Sequence, residues 1–137
     1  MHPWIRSALV LLAGVVVAVI VVSLMDGVVI SIYPLPPGTD MNSPDSLREG
    51  IAGLPVAAFL LLVIGWALAA AAGSYLASRL AKQSPAVHGL IVTLFVLVAT
   101  IANMARIPHP IWMWPASIVL ITAAGWAASR LGARRRV

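Results

Sequence analysis

Residues 8–25 read ALVLLAGVVVAVIVVSLM, eighteen consecutive residues without a charge. At 1.5 Å per residue, a helix of this length runs about 27 Å, close to the roughly 30 Å of a bilayer's hydrocarbon core. Lipid offers backbone groups no hydrogen bonds, so a crossing segment is a helix or a strand of a closed barrel. Barrel strands are only about 9–11 residues long. A secretory signal has an apolar stretch of about 7–15 residues and a small-x-small cleavage site. Ser23-Leu24-Met25-Asp26 offers no such site, so the segment reads as a retained first span.

The rest of the chain repeats this pattern. Apolar segments cover residues 5–32, 55–80, 85–104 and 110–131, with one sizeable connection at 34–54. The fold class is therefore all-α, a single four-helix transmembrane bundle over residues 1–137. Composition agrees: 61% of the 137 residues are hydrophobic and 9% charged, against about 25% charged in soluble domains. Mean hydropathy is +1.01. The absence of cysteine removes disulfide, thiolate and zinc-thiolate chemistry. The net charge of +5 lies at span ends and forms no basic stripe, so the expected partner is the bilayer and not nucleic acid.

Lys and Arg also set an expected orientation. Arg6, Arg79, Lys82, Arg130, Arg134, Arg135 and Arg136 fall on the side of the N-terminus, and Arg48 and Arg106 on the other. Seven against two predicts cytoplasmic termini in a bacterial inner membrane. All four acids, Asp26, Asp40, Asp45 and Glu49, lie at or in the first external connection. That connection opens with Pro34, Pro36, Pro37 and Gly38, a turn-rich start. Ser43 then reads as an N-cap, Pro44 as the first helical residue and Asp45 as a carboxylate at the positive helix end. Leu47, Ile51 and Leu54 recur at helical spacing, which predicts a short amphipathic helix on the outer leaflet. Ser84 and Pro85 have the same N-cap and first-position look before the third span. Trp4 on one side, and Tyr33, Trp112 and Trp114 on the other, mark the interfaces. Trp66 falls mid-span and reads as a packing residue.

Gly65, Ala69, Gly73, Ala77 and Ala81 recur every fourth residue of the second span. They form a shallow stripe that lets another helix approach closely. A shorter version is Ala124, Ala128 and Gly132 in the fourth span. The stripe packs the second and fourth spans inside one bundle, or it forms a subunit interface. The matched Ala77-Ser78-Arg79-Leu80 and Ala128-Ser129-Arg130-Leu131 hint at two tandem hairpins.

The candidate polar site is Asp26, Asn103, Arg106 and His109. If hydrocarbon begins at Ala8, Asp26 is interfacial; if Tyr33 is the anchor, Asp26 is buried roughly 10 Å below it. A buried carboxylate requires a partner, and Asn103 and Arg106 stand at similar depth. His109, between Pro108 and Pro110, is presented at the outer surface as part of a rigid turn, where it can also titrate or meet a headgroup. His2 and His88 share the inner side, but no spacing pairs them as metal ligands. The Arg134-Arg135-Arg136 tail is a topology anchor that also attracts anionic lipid. No catalytic, cofactor or metal site is expected.

In Tyr33-Pro34-x-Pro36-Pro37-Gly38-x-Asp40 and Pro108-His109-Pro110-x-Trp112-x-Trp114, the chain resembles a group of small uncharacterised bacterial four-span proteins. The resemblance covers nearly the whole chain. It implies an acidic residue at position 26, more often Glu, and implies no activity. The first functional expectation is a non-catalytic accessory or self-associating subunit, a homo-oligomer or a partner of another membrane protein. The alternative is a small transporter or channel using Asp26 with Asn103 and Arg106. A membrane enzyme ranks last.

Overall fold

A computed structural model describes residues 1–134; Arg135 and Arg136 of the basic tail lie outside the described residues. The described chain is all-α, with helices α1 (Pro3–Ile32), α2 (Pro44–Ala52), α3 (Val56–Leu80), α4 (Pro85–Arg106) and α5 (Met113–Arg134). All but α2 are long and apolar enough to span a bilayer, so this is a four-span integral membrane protein. Large apolar side chains such as Leu12, Leu24, Leu68, Leu94 and Val119 face outward, as lipid-facing residues do.

Helix α3 is the hub, packing on α1, α4 and α5; α4 touches both α1 and α5, while α1 and α5 do not meet. The centre is built from small residues. Ala58, Ala69, Ala70, Ser74, Ala77 and Ser78 of α3 are each 0% exposed. Their size brings the backbones close enough for dispersion and Cα–H contacts to hold the bundle.

The small-residue stripe of α3 lies on this seam. A Cβ added at Gly73 would stand 3.0 Å from Ala18 Cβ, and one at Gly14 would stand 2.9 Å from the Gly73 carbonyl. One at Gly65 would stand 2.7 Å from Met25 Cβ. The stripe therefore receives α1 at Gly65 and Gly73, while the fourth span packs on α3 beside it. Helix α5 meets the next row of α3: a Cβ at Gly132 would lie 2.8 Å from Ser78 Cβ. Between these layers Ser74 and Thr93 share a hydrogen bond of 2.8 Å across α3 and α4, and the Thr93 hydroxyl donates to the Gly89 carbonyl at 3.1 Å. Ser78 and Ser129, the serines of the two matched tetrapeptides, both close on Gly89.

Helix ends show why the chain turns where it does. Ser43 caps α2 by accepting from the Ser46 N–H at 3.3 Å, with Pro44 in the first turn. Before it, Gly38 has φ +86° and the Thr39 N–H donates to the Pro36 carbonyl at 3.2 Å. This is a type II turn, with Pro37 and Gly38 in the positions that need them. Ile51 and Leu54 pack against the bundle core, so the apolar side of α2 serves the protein as well as any leaflet.

Ser84 differs from its expected role. It precedes α4, but its hydroxyl makes no cap bond and its φ is +43°. The sharp α3–α4 connection requires a left-handed residue there, and Ser84 adopts it. Helix α5 begins at Met113, not Pro110, because Pro110 first closes a turn with the Met113 N–H at 3.0 Å.

Candidate functional site

Helix α1 has 30 residues, about 45 Å of helix, and it runs unbroken past Asp26 to Ile32. Asp26 thus sits about 9 Å before the end of α1, and Asn103 one turn before the end of α4. Both face one cleft of about 220 Å³ between α1 and α4. Ser23 and Val22 line it from α1, Phe95, Ala99 and Thr100 from α4, and Trp66 from α3. Below the cleft α1 and α4 approach closely, where Gly14, Gly73 and Val92 meet. That contact also closes the cleft's inner end.

The lining is mostly apolar, with one carboxylate, one amide and two hydroxyls. Trp66 forms the inner wall and is 4% exposed. Side chains on a helix lean toward its N-terminus, so the Trp66 indole reaches toward the same end as Asp26. Its other side meets His109: the rings are 5.9 Å apart and edge-on at 66°. Trp66 is therefore a wall shared by the cleft and the α4–α5 link. Only its mid-span position hinted at this.

His109 is turned inward and half-buried, not presented at the surface. Its Nδ1–H donates to the Ile107 carbonyl at 2.6 Å. Prolines on both sides fix the link so that the ring folds back onto the bundle. Burial lowers its pKa below the ordinary 6.5, and the Ile107 hydrogen bond opposes this in part. Across the link, His109, Pro108 and Phe59 face Arg48 and Ile51 of α2.

The pairing with Asn103 or Arg106, the alternative to an interfacial Asp26, is not formed. Among the described residues, no ion pair or hydrogen bond joins it to Asn103 or Arg106. Arg106 is exposed and lies outside the cleft. Of the four candidate residues, the structure brings Asp26 and Asn103 to one cleft, ties His109 to it through Trp66, and leaves Arg106 out. Gly65, Ala69, Gly73 and Ala77 are buried in the helix seam.

At the other end, Arg6, Lys82 and His88 gather around the N-terminus. The Arg130 guanidinium lies 5.4 Å from the Trp126 ring, an exposed cation–π pair at the end of α5.

Fold and cleft together define the class: a four-span membrane protein with a lateral cleft holding one carboxylate. Compared with protein-family models, curated proteins and solved structures, the chain matches none.

Proposed function

We propose that this protein is a small, non-catalytic membrane carrier that holds its solute at Asp26, in the cleft between α1 and α4. The supporting observation is that four polar groups of the spans, Asp26 and Ser23 of α1 and Thr100 and Asn103 of α4, line one cleft, with the spans' one carboxylate among them. An ionisable residue within a span is costly and marks a solute or ion path more often than a packing contact. The seam beneath the cleft supports the same reading. Helix α1 rests on α3 through Gly14, Ala18 and Gly73, and small side chains interlock little, so α1 can slide by shear. Closure below and opening above is one half of an alternating cycle.

The expectation of a self-associating or accessory subunit drew on the small-residue stripe and on the poverty of polar groups. That stripe is occupied by α1, so it gives no support to a second copy. The Lys and Arg distribution favours cytoplasmic termini in a bacterial inner membrane, which opens the cleft toward the outer leaflet.

The native chain has no cysteine, so single-cysteine labelling is clean. Ser23→Cys reports on the cleft and Asn42→Cys on the 34–54 connection. In right-side-out and inverted vesicles, a membrane-impermeant maleimide should modify Asn42→Cys from one side and Ser23→Cys from both. Modification of Ser23→Cys from the Asn42 side alone contradicts a carrier.

A further inference from the structure

We infer that the cleft's ligand is a lipophilic organic cation, a small ammonium-type head carrying an apolar tail. The inference rests on the reading of this cleft as the working site, and it names the ligand's chemistry.

The first argument is charge. Asp26 is half-buried among apolar walls, and no cation of the described chain pairs with it. Arg106, the cation at similar depth that the sequence offers as a partner, stands outside the cleft. A carboxylate in a low-dielectric setting gains most from a cation that arrives with its own apolar surroundings. A neutral ligand leaves it unpaired, and an anion is repelled.

The second argument is the aromatic lining. Trp66 and Phe95 flank the same cleft. Ring faces attract cations, Trp most strongly, and a desolvated site strengthens the attraction. Carboxylate and indole in one cleft are complementary to a substituted ammonium whose charge is spread over carbon.

The third argument is shape. About 220 Å³ is below the roughly 300–1,000 Å³ typical of pockets that enclose drug-sized ligands. The cleft also opens sideways between two lipid-facing helices. It accepts a compact head while the tail runs out along Val19 and Val22 of α1. The Asn103 amide and the Ser23 and Thr100 hydroxyls supply dipoles beside the charge. A fully hydrated inorganic cation has no use for the apolar wall.

The probe is octyltrimethylammonium, with 1-octanol and octyl sulfate as neutral and anionic counterparts, titrated calorimetrically into protein-loaded lipid nanodiscs against empty discs. The wild type should bind the cation at least about tenfold tighter than octanol. Asp26→Asn, nearly isosteric, should abolish that preference, and Asp26→Glu should retain it. Trp66→Phe should weaken cation binding by a few-fold, as expected for a poorer cation–π surface. Equal binding of cation and octanol, or an unchanged preference in Asp26→Asn, overturns the inference. The two readings fail separately. Two-sided Ser23→Cys labelling without a cation preference rejects the ligand class and keeps the carrier. A cation preference with one-sided labelling keeps the site and rejects the carrier.

Discussion

Asp26 and His109 differ in how far the chain announces them. An acid within an apolar run is conspicuous, and α1 continues as helix past it to Ile32. Its surroundings were not legible, because a cleft depends on where two helices diverge. The close approach beside it is made at Gly14, Gly73 and Val92, none of them a sequence neighbour of Asp26. His109 looked surface-exposed because two prolines flank it. The same prolines bend the link so that the ring reaches Trp66.

A pH dependence follows from His109. Its folded-state pKa is lowered by burial, so the unfolded chain binds the proton more readily. Stability from this group is fully present above the ordinary value of 6.5 and declines as pH falls through it toward the lowered value. Thermal unfolding in detergent should show a Tm that drops on acidification below about pH 6.5. His109→Phe should remove that part of the drop. An identical pH profile in the variant would show that the buried ring contributes nothing.

At the scale of elements, the spans were readable from hydropathy and length, and so was α2 from its Ser43-Pro44-Asp45 start. Hydropathy cannot show which helix occupies which face. The every-fourth-residue stripe of α3 reveals a close approach, but not that α1 is the neighbour. The matching signal in α1 went unread: Gly14 and Ala18 have the same four-residue spacing. The Ser84 turn also escaped, because serine before proline resembles an ordinary N-cap, whereas the short connection requires φ +43°.

The seam makes a firm prediction. A side chain at position 73 would collide with the Gly14 backbone and with Ala18. Gly73→Leu should cost at least about 1–3 kcal/mol, the usual range for overpacking, through loss of α1 docking. Protease resistance and reversible unfolding in bicelles measure this. Wild-type stability in Gly73→Leu would mean that α1 does not rest there.

For the whole molecule, the bundle divides along its length. One half is sealed by glycine, alanine and serine where α1, α4 and α5 pack on α3. The other half opens between α1 and α4, with Asp26 and Asn103 in the cleft and Trp66 and His109 behind it. The central claim is that this open half carries a cation. It is tested most directly by solid-supported-membrane electrophysiology on proteoliposomes, after a concentration jump of octyltrimethylammonium. Wild-type protein should give a transient current above that of empty liposomes, and Asp26→Asn should lose it. Equal currents from wild type, Asp26→Asn and empty liposomes would contradict the account.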